Sequence, residues 1–591
     1  MKAQKIEETL PTWDLSALYS DKDSSELKND IKDVEDRARR FQKIFENKIV
    51  DLDGETLAST IKEYEEIEEI LGRLHSFAYL LYAENISSED NSAFYQNISE
   101  KITEISTSIL FFELEINKIE DNELSEKYKS SKELERYEPW IRDVRVMKPF
   151  QLSDEVEKIL HEKSITSRQS WHRLFEETIA DLRFPFDDEQ ITAAEVMNLM
   201  SSKDENERKK AAKSVGKTLG ENVKTFALIT NVLAKDKEMN DRWRNFAKPI
   251  SSRNLANLIE DEVTEALITT VKNNYEKLAH RYYKIKANMF GKEQLDYWDR
   301  NAPLPDDKSE KISWEEAVEV VLESYNDFSP EMAEIGKRFF DENWIDAPAR
   351  EGKDSGAFSH PTVPSAHPYI LMNFQGKIRD VMTLAHELGH GVHQYLAADQ
   401  GALMASTPLT LAETASVFGE QLTFRKLLER QESDEQKKIM IANKVEDMLN
   451  TVVRQIAFCE FERQVHDERK NGEIPAERIC EIWLSVQKES LGPAIRYEDE
   501  YKYFWSYIPH FVHTPFYVYA YAFGDCLVNS LYKVYQDTPD GFVPKYIEML
   551  KAGGTLRHKE LLAPFGLDAS KPDFWQGGLD IISGFIDKLE D

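Results

Sequence analysis

The sequence is poor in cysteine and lacks a long apolar run, and each shortage excludes a class of protein. Cys459, Cys480 and Cys526 are the only cysteines in 591 residues, and none has C-x-x-C spacing. A disulfide framework and a thiolate zinc site are therefore excluded, and a reducing compartment fits best. Residues 503–524, which no stretch free of Asp, Glu, Lys and Arg exceeds in length, hold two prolines, two histidines and several tyrosines. Such a stretch is unsuited to a membrane span, so we expect no membrane partner.

Basic residues are also in deficit. Lys and Arg number 75 against 108 Asp and Glu, a formal net charge of -33. A surface of this sign repels phosphates, which excludes nucleic acid as a partner. Residues 1–14 carry charges throughout and lack the apolar core of a secretory signal, so we expect a cytoplasmic protein.

Glycine and proline are sparse in the first half, and apolar residues there recur at three- and four-residue spacing. This pattern predicts amphipathic helices over residues 24–190 and again over 193–290. Prolines and glycines accumulate over residues 297–374, the one region where we expect strands. The predicted elements are strands Ala357–Ser359 and Tyr369–Phe374 and helices Ser313–Phe328 and Pro330–Phe340.

The length is roughly twice that at which a single core stops growing, which predicts two or more lobes. We expect residues 1–195 to form an N-terminal helical domain and residues 196–591 to form the catalytic domain.

Residues 386–390 read HELGH, the HExxH pattern of zinc hydrolases. Flanking apolar residues fall on one face of a helix, and His386 and His390 fall on the opposite face. One helical turn separates the two imidazoles, which lets both bind one ion. Glu387 points elsewhere and is placed to act as a general base. An ordinary amphipathic helix is the alternative.

Two glycines in this helix need a reason, because each costs about 1 kcal/mol relative to alanine. We expect another backbone to approach closely at Gly389 and Gly391. His393 lies about 10 Å along the axis from His386, too far to share an ion. We expect His393 to lie on the surface or outside the coordination sphere.

A third ligand is expected from a helix over residues 407–430, with Thr407 as N-cap. Glu413 and Glu420 both lie among apolar residues there, and they are separated by two turns. One would bind the metal and the other would orient a histidine. The alternatives are a capping box of Glu413 with Thr410 and a surface pair of Glu420 with Arg425.

Several runs resemble the oligoendopeptidase F family, which is related to thimet oligopeptidase and neurolysin. The runs are TWDLS at 12–16, HPYILMNF at 367–374, TLAHELGHGVH at 383–393, ETAS at 413–416 and HFVHTPFYVYAYAFG at 510–524. The resemblance implies a mainly α fold of the zincin type. It implies a two-lobed helical clamshell with a deep channel and a small β-sheet near the active site.

The resemblance also implies a role for each matching residue. His386, His390 and Glu413 become the ligands of one Zn²⁺ per chain, Glu387 becomes the base, and Glu420 becomes an outer partner.

In the aromatic run the resemblance implies that a histidine and tyrosines contact the substrate and its transition state. Among His510, His513, Tyr517, Tyr519 and Tyr521, we favour His510, Tyr519 and Tyr521. Hydrogen-bond donors of this kind stabilise the oxyanion of peptide hydrolysis.

Gly356, Ala357 and Phe358 are expected to form an edge strand that pairs with an extended substrate. An ordinary sheet edge is the alternative.

These residues together predict a zinc-dependent metalloendopeptidase that hydrolyses internal bonds of short oligopeptides. A zinc-bound water would attack the scissile carbonyl and Glu387 would accept its proton. One alternative is a zinc carboxypeptidase, for which the sequence names no basic group to hold a free C-terminus. The other is a non-catalytic peptide-binding protein with structural zinc.

Overall fold

A computed structural model describes residues 10–305 and 311–590. These residues are mostly helical, with a few short strands, which confirms the mainly α prediction. Residues 1–9, which include most of the segment that was compared with a secretory signal, lie outside the described residues. Within the described ranges, none of the helices combines the length and the apolar character that crossing a membrane requires.

Helices fill most of the chain up to residue 305. Their bounds are α1 Ser25–Phe45, α2 Gly54–Glu84, α3 Glu89–Ile109, α4 Phe111–Ile116, α5 Asp121–Ser130, α6 Lys132–Arg136, α7 Glu138–Val144, α8 Asp154–Lys163, α9 Arg168–Asp181, α10 Ala193–Leu199, α11 Glu205–Glu221, α12 Val223–Trp243, α13 Ser251–Ala256, α14 Asp261–Asn273 and α15 Arg281–Met289.

Helices dominate the rest of the chain as well. Their bounds are α16 Trp314–Phe328, α17 Pro330–Asp341, α18 Ile378–Ala397, α19 Leu409–Ala412, α20 Ser416–Arg430, α21 Asp434–Thr451, α22 Val453–Arg469, α23 Ala476–Leu491, α24 His510–His513, α25 Tyr519–Asp537, α26 Phe542–Lys551, α27 His558–Leu562 and α28 Pro572–Glu590. The strands are β1 Phe184–Phe186, β2 Glu189–Ile191, β3 Leu295–Asp296, β4 Ile345–Pro348, β5 Phe358–His360, β6 Tyr369–Phe374 and β7 Ile495–Arg496.

The two helices predicted before the sheet are present and are capped as their sequences indicate. The Ser313 side chain accepts a hydrogen bond from the backbone N–H of Glu316 at the start of α16. Ser329 caps α17, whose first residue is Pro330. Local capping therefore explains why these boundaries were predictable.

A three-stranded sheet has the order β4-β6-β5, with β4 parallel and β5 antiparallel to β6. The prediction of β6 over Tyr369–Phe374 is confirmed, and β5 begins one residue later than expected, at Phe358. Gly356 and Ala357 therefore precede the strand.

The prediction that strands occur only within residues 297–374 is wrong, because β1, β2, β3 and β7 lie outside that range. Strands β1 and β2 form an antiparallel hairpin in which Phe184 pairs with Ile191. Asp187 has a φ of 51°, in the left-handed region that a tight hairpin turn requires and that Asp tolerates. The hairpin depends on this turn, which hydrophobic spacing does not show.

The chain forms two compact units, each built from separate segments. Unit 1 comprises residues 1–148, 309–430 and 535–566, and unit 2 comprises residues 149–308, 431–534 and 567–591. The sequence predicts a single domain boundary at residue 195, whereas each compact unit combines three separate segments of the chain. The division into two domains at residue 195 stays a prediction.

Helix α18 lies at the centre of the core of unit 1. It packs against α17, α20 and α26 and against strands β5 and β6. The residues of α18 that are almost fully buried are mainly apolar: Val381, Leu384, Ala385, Leu388 and Val392. Because α18 contacts its neighbours along most of its length, its polar side chains are held in defined positions.

Candidate metal centre

Helix α18 brings the two histidines of the HELGH run together. His386 Nε2 and His390 Nε2 lie 3.2 Å apart, and the two rings are nearly perpendicular. Both histidines are half-buried, whereas the opposite face of the helix is in the core. The predicted separation of the apolar and histidine faces is confirmed.

Glu413 completes the group from a neighbouring segment. Its Oε2 atom lies 3.5 Å from His386 Nε2 and 3.5 Å from His390 Nε2. One ligand atom from each of the three residues lies within 4.8 Å of the others. A tetrahedral zinc ion with bonds of about 2.0 to 2.2 Å separates its ligands by about 3.3 to 3.6 Å. The observed triangle therefore fits one such ion.

Glu413 does not lie within a continuous helix, so the prediction of one helix over residues 407–430 is wrong. Pro408 is the N-cap of α19, which ends at Ala412, and α20 starts at Ser416. Hydroxyl groups satisfy carbonyls at the break, because Thr414 Oγ1 donates to Leu411 O and the Tyr546 hydroxyl donates to Thr414 O. The break carries Glu413 towards the two histidines.

Ser416 also holds Glu413 in place, a role that the sequence analysis missed. Its hydroxyl donates to Glu413 Oε2 at 2.6 Å. The ETAS run places Ser416 three residues after Glu413, and this spacing is the feature of the sequence that could have indicated the contact.

Glu420 contacts His386 on the ring nitrogen that faces away from His390 and Glu413. Its Oε1 atom is 2.7 Å from His386 Nδ1, so this ring nitrogen donates to the carboxylate and Nε2 faces His390 and Glu413. This geometry is the one expected of an outer carboxylate, and Glu420 does not join the three-atom group.

The site gathers carboxylates around two imidazoles. Burial opposes the charged form of His386, but its hydrogen bond to Glu420 and the charges of Glu420, Glu413 and Glu387 outweigh burial and raise its pKa to about 9. Burial lowers the pKa of His390 to about 4. Three partly buried carboxylates beside two imidazoles leave negative charge that a divalent cation would neutralise.

Glu387 is buried, with 7% of its surface exposed. Burial raises the pKa of Glu387 to about 7, and the charge of His386 opposes this rise. The backbone N–H of Ser359, on β5, also stabilises the charged form of Glu387. The carboxylate therefore lies beside the candidate metal ligands with a pKa in the range suited to a general base.

His393 is buried and does not lie on the surface. Its Nε2 atom is 3.3 Å from Thr407 Oγ1, and burial lowers its pKa to about 4. A hydrogen bond to the backbone carbonyl of Ala412 raises the pKa of both His393 and His390, against the effect of burial. His393 therefore helps to fix the segment that carries Glu413.

Strand β5 is attached to α18 by paired hydrogen bonds. The Ser359 hydroxyl donates to Gln394 Oε1 at 2.8 Å, and Gln394 Nε2 donates to Ser359 O at 3.1 Å. Asn373 holds the preceding segment by donating to the carbonyls of Asp354 and Gly356. The strand edge is thus fixed to the helix that carries His386 and His390.

Unit 2 contains the predicted aromatic residues, of which three form one cluster. His510 Nε2 lies 3.3 Å from the Tyr521 hydroxyl, and the Tyr517 ring contacts both residues. Tyr519 is fully buried instead, and its hydroxyl accepts a hydrogen bond from Asn257. The structure brings His510 and Tyr521 together and separates Tyr519 from them.

A second group of carboxylates occurs in unit 2, at Glu205, Asp296 and Asp299. Arg208 and Lys292 both bond Asp299, and Lys292 also bonds Glu205. These cations neutralise the group, so we do not consider it a metal site.

Two sequence profiles match the chain. The profile of Peptidase family M3 matches residues 198–581, and that of Oligopeptidase F matches residues 115–184. The chain is 28% identical to the oligoendopeptidase F homolog of Borreliella burgdorferi, over 98% of this chain and 97% of that protein. It is 27% identical to oligopeptidase PepF of Bacillus subtilis, over 93% of this chain and 82% of that protein.

Solved structures share the fold. A peptidase from Chlamydophila abortus has a TM-score of 0.86 at 23% identity, covering 98% of this chain and 97% of that chain. Oligoendopeptidase-F from Enterococcus faecium has a TM-score of 0.71 at 22% identity, covering 96% of this chain and 98% of that chain.

Proposed function

Because the chain belongs to peptidase family M3, we propose that it is a zinc-dependent endopeptidase that hydrolyses internal bonds of oligopeptides. The observation that carries the proposal is the triangle of His386, His390 and Glu413 beside the buried carboxylate of Glu387. The relatives named as oligopeptidases and oligoendopeptidases support short peptides as the substrate class.

His386, His390 and Glu413 would hold zinc, and Glu420 and Ser416 would keep two of these ligands in position. When bound, zinc supplies a Lewis acid that lowers the pKa of a coordinated water and polarises the scissile carbonyl. Glu387 accepts the proton of the attacking water and delivers it to the leaving nitrogen. Its raised pKa favours both halves of this transfer.

The residues expected to contact the substrate belong to the proposal on the strength of the family resemblance. His510 and Tyr521 are proposed to donate to the developing oxyanion, and their mutual contact supports a joint role. Tyr519 stays a predicted donor, although the structure shows its hydroxyl engaged with Asn257 in the core. Gly356, Ala357 and Phe358 are proposed to pair with the substrate backbone. These residues directly precede Ser359, which is hydrogen-bonded to Gln394 of α18.

The proposed compartment is the cytoplasm. The three cysteines are buried and form no disulfide, which suits a reducing environment.

The test is a cleavage map of peptides blocked at both ends, with lengths from about five to twenty residues. We expect internal cleavage that a chelator abolishes and that added zinc restores. Glu387→Gln should lower kcat by about 10²- to 10⁴-fold and keep the bound zinc, as the loss of a general base implies. Glu429→Gln, an exposed change on α20, is the matched control.

Each competing function gives a different result. Cleavage that requires a free C-terminus and removes single residues would indicate a carboxypeptidase. Peptide binding without hydrolysis in the zinc-loaded protein would indicate a binding protein. Full activity in Glu387→Gln would refute its role as the base.

A further inference from the structure

Unit 2 contains a cavity of about 450 Å³ near the C-terminal ends of α12 and α22. All of the residues that line it belong to unit 2, whereas the candidate metal centre belongs to unit 1. The charged residues of the lining are Glu238, Asp241, Arg242, Lys248 and Lys470. Volumes of this size are typical of sites for small molecules, so the cavity is large enough to hold one.

Both carboxylates of the lining are already neutralised by lysines that lie outside it. Lys237 Nζ donates to the two oxygens of Asp241 at 3.0 and 2.8 Å. Lys235 Nζ donates to Glu238 Oε2 at 2.5 Å, and Arg242 Nε donates to Glu238 Oε1 at 3.1 Å. The lining therefore carries an excess of positive charge.

Lys248 and Lys470 supply this excess at the mouth of the cavity, where both side chains are exposed. Within the described ranges Lys248 forms no ion pair, and Lys470 Nζ contacts the exposed carboxylate of Asp467 at 2.8 Å. The chain as a whole has a formal net charge of -33, so a local excess of positive charge runs against its average. Such a mouth attracts anions.

His466 adds a buried polar group to the lining. It is 8% exposed, and its ring lies 4.9 Å from the ring of Phe516. Neither ring nitrogen has a hydrogen-bond partner among the residues that the structure describes. Neither nitrogen is sealed from solvent, and the cavity is the opening that His466 lines.

The imidazole of His466 is neutral, because burial, Lys237 and Lys470 lower its pKa to about 3. A neutral imidazole carries one N–H donor and one acceptor. A buried donor without a partner costs free energy, and an acceptor atom of a bound molecule would remove this cost. The interior of the cavity is thus prepared to donate a hydrogen bond to a ligand.

The turn after α12 fixes one wall of the cavity. Asn245 has a φ of 61°, and the N–H of Phe246 donates to Asp241 O at 2.9 Å. The Phe246 ring stacks on Phe150 at 4.3 Å, and Arg244 Nη1 donates to the carbonyl of Phe150. A ligand therefore meets a wall that is already formed, which lowers the cost of binding.

The donors of the cavity suit a tetrahedral oxyanion better than a planar one. An ammonium group is a point charge with three donors and no preferred plane, and Lys248 and Lys470 are both of this kind. A carboxylate is bound best by the parallel N–H groups of an arginine, but Arg242 is already engaged with Glu238. A phosphate group offers oxygens in several directions to donors that do not share a plane.

We infer that this cavity binds a phosphate group, which Lys248 and Lys470 hold at the mouth while the His466 ring donates to one of its oxygens. Free phosphate and the phosphate of a small ester present the same oxygens to these donors. The inference does not depend on the proposed function, because it uses no residue of the metal centre.

The experiment is a calorimetric titration of the whole zinc-loaded chain with inorganic phosphate, at an ionic strength held constant with sodium chloride. We expect a Kd of about 1 mM, as a few charge-assisted hydrogen bonds imply. Acetate should bind at least about tenfold more weakly. No binding at roughly ten times the expected Kd, or equal affinities for phosphate and acetate, would overturn the inference.

Variants then locate the bound phosphate. Lys248→Gln and His466→Phe should each raise the Kd by about tenfold. Lys248 is exposed, so this variant tests the site even if the change at the buried His466 disturbs folding. Lys224→Gln removes an exposed lysine from the start of α12 and should leave the Kd unchanged. Wild-type affinity in Lys248→Gln would overturn the inference.

A second pair of titrations separates this cavity from the metal centre, since phosphate can also bind zinc. Removal of zinc with a chelator should leave the phosphate affinity unchanged. An affinity that disappears with the metal would assign the phosphate to the metal centre and would overturn the inference. Peptide hydrolysis is assayed separately, so failure of the proposed function is distinguished from failure of the phosphate site.

Glycerol 3-phosphate distinguishes the two sources of the phosphate group. Binding that is tighter than that of inorganic phosphate, and that Lys248→Gln weakens, would identify a small phosphate ester as the ligand. Weaker binding with the same dependence on Lys248 would identify free phosphate. Ester binding that does not respond to Lys248→Gln would contradict the assigned role of this lysine.

Discussion

A Cβ atom placed on Gly389 would lie 2.5 Å from the carbonyl oxygen of Ala415. The Cα atom of Ser416 would be 2.6 Å away, so the obstruction is backbone that has little freedom to move. The prediction that another backbone approaches Gly389 is thus confirmed. At Gly391 the neighbour is instead the side chain of Phe339. The glycine at 389 allows α18 to approach the break that carries Glu413.

Gly389→Ala should therefore destabilise the protein and disturb the metal centre. Overpacking against backbone typically costs about 1 to 3 kcal/mol, and the shift would move Glu413 away from the histidines. We expect a lower melting temperature and weaker zinc binding. Gly584→Ala in α28 is the control, because its Cβ meets no atom within 4 Å and the change should stabilise by up to about 1 kcal/mol. Unchanged zinc affinity in Gly389→Ala would contradict the assigned role.

Glu420→Gln should weaken zinc binding and leave the fold intact. The amide no longer supplies the charge that holds the Nδ1 proton of His386, so this imidazole becomes a poorer ligand. We expect zinc affinity to fall by about 10- to 100-fold, measured by competition with a chelating dye. Glu429→Gln serves again as an exposed control. An affinity equal to that of the wild type would show that the contact does not tune the ligand.

Helix α18 was predictable because the sequence features that define it are all local. Apolar spacing, the HELGH run and the glycines all lie within residues 378–397, and one periodic pattern places every side chain. The break at Glu413 was not predictable in this way. It depends on Tyr546, which satisfies the carbonyl of Thr414 from 132 residues away.

The burial of individual polar residues could also not be predicted from the sequence. His393 was expected either on the surface or outside the coordination sphere, and the sequence did not decide between the two. It is buried, and Thr407 and the carbonyl of Ala412 give it polar neighbours in the interior. Tyr519 and Tyr521 have similar sequence surroundings, yet Asn257 holds Tyr519 in the core while Tyr521 remains 38% exposed. Only tertiary contacts distinguish such neighbours.

Lys353→Met should destabilise the segment that leads to β5. Lys353 Nζ donates to the carbonyls of Asp346, Pro348 and Met372 and to the Asp346 carboxylate, and both charged side chains are fully buried. Removing the ammonium group leaves three carbonyls short of a donor, at a cost of roughly 3 to 5 kcal/mol. We expect a lower melting temperature and faster proteolysis near residues 349–357. Lys337→Met, an exposed change on α17, should have little effect on either measurement.

Glu462 in unit 2 is a buried carboxyl group whose titration should be visible in the stability of the protein. Its Oε1 atom accepts a hydrogen bond from the backbone N–H of Phe516, which has a φ of 62°, while Oε2 has no hydrogen-bond partner among the described residues. Burial raises the pKa of Glu462 to about 8, and Phe516, Arg253 and Lys237 oppose this rise. The folded protein therefore keeps the carboxyl protonated over a range in which the unfolded chain has lost the proton.

The sign of the pH dependence follows from this difference. Between the ordinary pKa of 4.5 and the folded value of about 8, the folded state binds one proton more than the unfolded state. The contribution of Glu462 is thus fully present below pH 4.5 and declines by about 1.4 kcal/mol per pH unit as the pH rises towards 8. Glu462→Gln keeps an acceptor for the Phe516 N–H and removes the titration. The variant should therefore gain stability over the wild type as the pH rises, by at most roughly 5 kcal/mol at pH 8.5.

Denaturant unfolding of both proteins at pH 5, 7 and 8.5 checks this expectation, with the exposed Glu473→Gln as the control. The difference between Glu462→Gln and the wild type should grow from pH 5 to pH 8.5, whereas the control should follow the wild type. A difference that is constant over this range would mean that Glu462 titrates at the same pH in both states. In that case burial would not have changed the pKa of the Glu462 carboxyl group.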